Sequence, residues 1–164
     1  TAALATCDFY LENTPLDGIP YWDTGAPGLV HLGDYLHQKA DPYNDYEPVD
    51  SSAAAIGAQG LLRLGHYLDS RGDPEKGKLY RSAGLNLVSN LLEKPYLSFN
   101  PGHQGLLLHS VYHRPNGWDY IPEGYKIPCN ESSMWGDYHI REVCLYLQRI
   151  INKENYYTYF NSIR

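Results

Sequence analysis

Long apolar runs are missing from this chain. The longest are a few residues, far short of the roughly 20 that a helix needs to span a bilayer, so neither a membrane segment nor a signal peptide is expected. Basic residues are also scarce: 13 Lys and Arg stand against 19 Asp and Glu, a formal net charge of -6. That balance excludes the basic stripe a phosphate backbone demands, and nucleic acid is not an expected partner. Cysteine is limited to Cys7, Cys129 and Cys144, odd in number and widely spaced with no CxxC pair. A zinc knuckle or a disulfide framework is therefore not indicated, and the three read as small buried apolar residues. A Gly-rich phosphate loop, a Walker pattern and a nucleophile elbow are all absent.

Phenylalanine is nearly absent too, and what replaces it is informative. Against 3 Phe the chain carries 16 Tyr and 3 Trp, so its aromatic surface mostly bears a polar handle. Such a bias suits sugar faces and polar-aromatic clefts; a tyrosine-rich core is the other reading. With 164 residues, 43% of them hydrophobic and 20% charged, one soluble globular body is expected.

The opening stretch TAALATCDFYLE reads as an amphipathic helix from its first residues, with Ala2, Leu4, Ala5, Cys7 or Phe9, and Leu11 inward. Pro15 stops it. Because it starts without a Ser, Asp or Asn cap, the chain is expected to be a piece of something longer. Pro15, Pro20, Pro27, Pro42 and Pro48, interleaved with Gly18, Gly25, Gly28 and Gly33, predict a long loop holding at most a short helix at HLGDYLHQK. Asp50-Ser51-Ser52 then caps a small-residue helix running to about Leu68. Arg71-Gly72-Asp73-Pro74 ends that helix and starts another, which runs to about Glu93 with Leu79, Ala83, Leu87 and Leu91 as its stripe. The two form an antiparallel hairpin. A second irregular stretch reaches Ser133, interrupted by LLLHSVYH as a short helix or strand. Tyr138, Ile140, Cys144, Leu145, Leu147 and Ile151 trace a last long helix, and ENYYTYFNSI predicts a short terminal one. Loops this long in a helical domain are usually functional.

Several constellations could carry chemistry. In IPYWDTGAPG, Trp22 and Asp23 place an aromatic wall beside a carboxylate that could act as a general acid or accept from a sugar hydroxyl. Equally, Trp22 could plug the core and Asp23 cap a turn. Asp50 could serve a substrate, although capping its helix is the commoner use. His103, His109 and His113 lie near Tyr112 but have no carboxylate at ligand spacing, so a metal is not expected. Asn130-Glu131-Ser132 matches the N-glycosylation sequon, a pattern short enough to arise by chance. SSMWGDYHIRE (132 to 142) gathers hydroxyls, aromatics, a carboxylate and an imidazole around Gly136, as either a site rim or a helix start.

In order along the chain, DGIPYWDTGAPG, PVDSSAAAIGAQGLLRL, LLLHSVYHRPNG and SSMWGDYHIREVCLYL resemble the C-terminal half of unsaturated glucuronyl hydrolases, the glycoside hydrolase family 88 type. The resemblance covers nearly the whole chain. It implies an all-α architecture, with residues 1 to 164 forming about half of an (α/α)6 barrel and the N-terminal half of the same protein as the missing partner. The implied substrate is an oligosaccharide left by a polysaccharide lyase, with a 4,5-unsaturated uronic acid at its non-reducing end, and no metal or organic cofactor is implied. The family's two key aspartates have no matching positions here, so no catalytic residue is carried over and residues 1 to 164 alone are expected to be inactive. Trp22, Tyr112, His113, Ser133 and Trp135 are the implied substrate contacts, with Asp23, Asp50 and Asp137 supporting them. His139-Ile140-Arg141 departs from the family's pattern of aromatics followed by Glu-Ala-Leu. An unsaturated rhamnogalacturonyl hydrolase is the nearest alternative enzyme, and a non-catalytic sugar-binding homologue the alternative outside catalysis.

Overall fold

A computed structural model describes residues 1 to 155. Four α-helices make the scaffold: α1 (Ala2–Glu12), α2 (Ser51–Ser70), α3 (Pro74–Leu91) and α4 (Met134–Ile151). The described residues contain no strand, only three isolated antiparallel bridges, Tyr21 with Val49, Leu97 with Leu107, and Leu108 with Ser132. The all-α expectation therefore holds. The terminal helix expected in ENYYTYFNSI falls almost entirely outside the described residues.

α2 is the central element, packed against α1, α3 and α4. Asp50 caps it, accepting from the amides of Ser52 and Ala53 at 3.0 and 3.4 Å, which satisfies two of the orphan donors at a helix start. Its residues are buried on more than one side: Ala54, Ala55, Ala58, Leu61, Leu62 and Leu68 all lie in the core. The following turn behaves as read: Asp73 caps α3 by accepting from Lys76 N at 3.2 Å, and Pro74 opens the helix.

Small residues bring α2 and α3 unusually close. A Cβ on Gly65 would stand 2.7 Å from the Gly77 carbonyl oxygen, and one on Gly77 would stand 2.7 Å from that of Gly65. The Arg81 guanidinium donates to the Asp69 carboxylate across the same crossing. Backbone this close leaves no room for a side chain, so the hairpin's geometry depends on these two glycines.

Three apolar faces differ from the expected stripes, each because a tyrosine or small residue takes the inner position. On α3 the buried line is Gly77, Tyr80, Gly84, Leu87, Val88 and Leu91, and Leu79 is exposed; the Tyr80 hydroxyl reaches inward and donates to Asp8 of α1. On α4 the buried line is Gly136, Ile140, Val143 and Tyr146, leaving Tyr138 and Ile151 exposed. On α1 no residue is fully buried; Leu4, Cys7, Tyr10 and Leu11 lean on the core, and Phe9 is exposed. Tyr10 lies over Gly57 of α2 and donates its hydroxyl proton to the Gly18 carbonyl at 2.7 Å. A reading by hydropathy alone ranks Leu79 and Phe9 above Tyr80 and Tyr10, and the packing reverses that order. Of the cysteines, Cys129 is buried while Cys7 and Cys144 are half-buried, and all three are free thiols pushed above the usual thiol range chiefly by burial.

The long stretches between helices contain only tight turns. HLGDYLHQK yields a single 3-10 turn at Tyr35–His37, with another at Pro27–His31. LLLHSVYH forms neither helix nor strand beyond its two isolated bridges. No helix among the described residues is long and apolar enough to cross a membrane.

Gly77→Ala is expected to lower stability by about 1–3 kcal/mol through overpacking at the crossing. Gly60→Ala on the same hairpin, where a Cβ meets nothing within 4 Å, should be neutral or gain up to about 1 kcal/mol from helix propensity. Thermal melts of the two variants check this; equal melting temperatures would refute the close-approach account.

Candidate functional site at the helix N-termini

The helix starts of α2 and α4 meet. Gly136, in the first turn of α4, is so close to its neighbours that a Cβ there would lie 2.7 Å from Ser110 Oγ and 3.3 Å from Ser52 Cβ. Ser51 Oγ and Ser110 Oγ are 3.1 Å apart. Residues 106 to 113 are thus laid across the junction of two helix N-termini, and carboxylates tie them down. Asp137 of α4 accepts from Leu106 N with both oxygens at 2.9 Å and from Leu107 N at 2.9 Å. Asp50 accepts from Val111 N at 3.3 Å in addition to its own helix. Asp119 accepts from the amides of Tyr112 and His113, the latter at 3.0 Å.

That anchoring presents a group of aromatic rings. Tyr112 stacks on Trp135, the second residue of α4, with centroids 5.1 Å apart and planes 23° apart. Trp118 packs against Tyr112 at 6.0 Å and against His113 at 4.9 Å. Tyr112 is 55% and Trp118 62% exposed, so the wall faces solvent and is not a piece of core. At the same helix start, a hollow of about 650 Å³ is lined by His103, Gly105, Glu131, Ser132, Met134 and Asp137 among others. There His103 Nε2 and Ser132 Oγ lie 3.0 Å apart.

Of the residues named from sequence, Tyr112, His113 and Trp135 come together in this wall. Ser133 is among the residues lining that hollow; it is largely buried, and its hydroxyl oxygen accepts from Gly136 N at 3.1 Å as the N-cap of α4. Asp50 and Asp137 are anchors of the loop. Trp22 and Asp23 share no hydrogen bond or ring contact with the wall among the described residues. Trp22 Nε1 donates to Glu47 Oε2 at 2.7 Å, and the exposed Asp23 accepts from Gly25 N at 2.6 Å in its own turn. Both alternatives offered for the pair, core plug and turn cap, describe these contacts.

Sequence reasoning missed Trp118, Asp119, Glu47 and Asp17. A signal existed for the first two: Asn116-Gly117 marks a turn, with Gly117 at φ +63°, and Trp118-Asp119 repeats the Trp-Asp pairing of Trp22-Asp23. Glu47 is 5% exposed and also accepts from Gly28 N at 2.8 Å. Asp17, equally buried, accepts from Ala40 N with both oxygens at 3.2 Å. Nothing in their immediate sequence marks them.

Burial sets the protonation of the anchors. It raises the Asp50 and Asp17 carboxyls above the usual carboxylate range, against the amide hydrogen bonds that pull them down. His109 is held by burial down to about 4. It sits in the left-handed region at φ +65°, and its Nδ1 accepts the Asn130 amide proton at 3.2 Å, which requires a neutral ring. Among the described residues no three His, Cys, Asp or Glu are arranged to hold a metal ion.

Fold and site together define the class: an all-α, helical-hairpin scaffold of α/α-barrel type with a solvent-facing aromatic wall at the helix N-termini. The chain is similar to the solved unsaturated glucuronyl hydrolase of Bacillus sp. GL1, described as responsible for the degradation of glycosaminoglycan, at 29% identity and a TM-score of 0.62 over 88% of its length. It is similar, too, to a mutant of the Streptococcus agalactiae enzyme of the same name, at 25% identity and a TM-score of 0.58 over 85%. It spans 32% of the length of each, about a third where the resemblance in sequence implied a half. No family model and no curated protein sequence matches it.

A pH-dependent consequence follows from His109. Its folded value of about 4 lies below the ordinary 6.5, so the stability it contributes is complete above pH 6.5 and lost as pH falls toward 4. His109→Asn tolerates the left-handed backbone and cannot titrate. Its melting temperature should fall less steeply than the parent's between pH 6.5 and 4, by the equivalent of about 1–3 kcal/mol. Parallel curves for the two proteins would rule the assignment out.

Proposed function

We propose that the chain is the cleft-wall portion of a glycoside hydrolase of the unsaturated glucuronyl type, and that the Tyr112–Trp135 stack with Trp118 receives a sugar ring. The observation that carries the reading is the pairing of a large exposed aromatic wall with a fold shared with two unsaturated glucuronyl hydrolases. A pyranose presents C–H bonds from its face and hydroxyls from its rim. Stacked aromatics match the first through their negative π-faces. Polar groups such as His113 Nε2 and the Ser132–His103 pair can meet the second.

In this reading the substrate is a lyase-generated oligosaccharide, glycosaminoglycan-type, ending in a 4,5-unsaturated uronic acid. Cleavage proceeds by hydration: a carboxylic acid protonates C4, water adds at C5, and the resulting hemiketal opens to release the next sugar. Such an acid must hold and release a proton near neutral pH. Among the carboxylates that anchor the wall, Asp119 and Asp137 accept from two amides each and Asp50 accepts from three through Oδ1. We place the reacting acid on hairpins beyond residues 1 to 164, because the family's two key aspartates have no matching positions in this chain. A groove of about 610 Å³ between α3 and α4, lined by Val88, Leu92, Leu97, Cys144 and Leu145 among others, offers those hairpins an apolar surface to close against.

The test is the ultraviolet absorbance of the conjugated enol acid in glycosaminoglycan lyase products. A protein carrying residues 1 to 164 within a complete barrel should bleach it, and residues 1 to 164 alone should not. Trp135→Ala in the complete protein is expected to raise KM about 10-fold, the loss of one stacking face worth roughly 1–1.5 kcal/mol. Bleaching by the isolated chain would overturn the placement of the acid, and an unaltered KM would overturn the role of the wall.

A further inference from the structure

A second aromatic pair stands apart from the wall and has no part in it. Tyr43, on the loop before α2, and Tyr125, on the loop before α4, lie with ring centroids 5.8 Å apart and planes 37° apart. They are 42% and 40% exposed, so both keep solvent-accessible surface although the pair is packed together.

The pair is built and held from behind. Tyr43 sets its edge against the buried His109 ring at 5.1 Å and 86°, and its hydroxyl donates to Asn130 Oδ1 at 3.3 Å. Asn130 is itself fixed through its amide on His109 Nδ1 at 3.2 Å. Beside the rings, Lys126 Nζ lies 2.6 Å from Asp45 Oδ2 and clamps the two loops to one another. Asn130 bonds the Tyr43 hydroxyl, and the Asp45–Lys126 pair lies within two residues of the tyrosines along the chain. Two partly exposed tyrosines, one of them backed by the His109 ring, suit a flat ligand with apolar faces and hydroxyl edges, which is the description of a sugar ring.

Chain continuity relates this pair to the wall. Tyr125 and Trp118 belong to the same loop, seven residues apart, and Tyr43 rests on His109, three residues before Tyr112. We propose that Tyr43 and Tyr125 form a distal stacking subsite for a sugar unit further along an oligosaccharide whose first units rest on Tyr112, Trp118 and Trp135. The inference rests on the carbohydrate reading of that first wall and adds chain-length preference to it: a disaccharide reaches one platform, a longer chain reaches both.

The probes are unsaturated di- and hexasaccharides prepared with a glycosaminoglycan lyase, titrated calorimetrically into the full chain. The hexasaccharide should bind about 10-fold more tightly than the disaccharide. Tyr125→Leu, which keeps apolar bulk but loses the π-face, should abolish that preference, and Tyr125→Phe should retain it, with melting temperatures confirming that both variants fold. Equal affinity for the two lengths, or a preference that survives Tyr125→Leu, overturns the distal subsite while leaving the first wall standing. Failure of either sugar to bind overturns the carbohydrate reading and the subsite with it.

Discussion

A backbone amide removed from water must find an acceptor, and the shape of this protein outside its helices is set by how that demand is met. Residues 13 to 50 and 92 to 133 are long, irregular and largely without sheet partners, so their N–H groups cannot be satisfied by a ladder. Backbone carbonyls take many of them through turns and short cross-loop contacts, and carboxylates take a further set. Asp17 takes Ala40, Glu47 takes Gly28 and the Trp22 indole, Asp50 takes Val111, Asp119 takes Tyr112 and His113, and Asp137 takes Leu106 and Leu107. Hydrogen bonds to charged groups contribute roughly 1.5–3 kcal/mol each, enough to hold segments whose own packing is sparse.

This use of acids explains why carboxylates near an aromatic wall need not be catalytic. An isolated Asp beside tryptophan and tyrosine invites assignment as a general acid, as Asp23 does in sequence, and Asp50 and Asp137 also stand near aromatics or hydroxyls. Their geometry is that of acceptors turned toward main chain. Burial raises Asp50 as it would raise a catalytic acid, yet its Oδ1 is shared among Ser52 N, Ser52 Oγ, Ala53 N and Val111 N. Those donors fix the orientation of the carboxyl through one oxygen, as an anchor between the start of α2 and the loop at Val111.

Much of the scaffold was legible because helix boundaries are local. Asp50-Ser51-Ser52, Arg71-Gly72-Asp73-Pro74 and the last long helix through Ile151 fall where cap and breaker chemistry puts them. Which face turns inward was less legible, because Tyr80 and Tyr146 bury their rings while satisfying their hydroxyls on Asp8 and His66, a solution that depends on partners distant in sequence. The site divides along the same line. Tyr112 and Trp135 could be singled out by residue type, but their stacking joins positions 23 residues apart, and Asp119 and Glu47 act only through contacts that the loops create.

The close approach of α2 and α3 and the aromatic wall are linked through α2. The glycine crossing at Gly65 and Gly77 positions one end of α2, and Ser51, Ser52 and Asp50 at its other end meet Ser110, Gly136 and Val111. Trp135 is carried by the helix that Gly136 allows to approach, and Tyr112 by the loop that Asp50 and Asp119 restrain. The stacked pair is therefore assembled from two elements whose spacing is set by the close packing of Gly136 against serine side chains and by carboxylate anchors, not by the rings themselves. A wall of that kind is preorganised: its rings are stacked without a ligand, so the sugar binding proposed for it would carry less ordering cost.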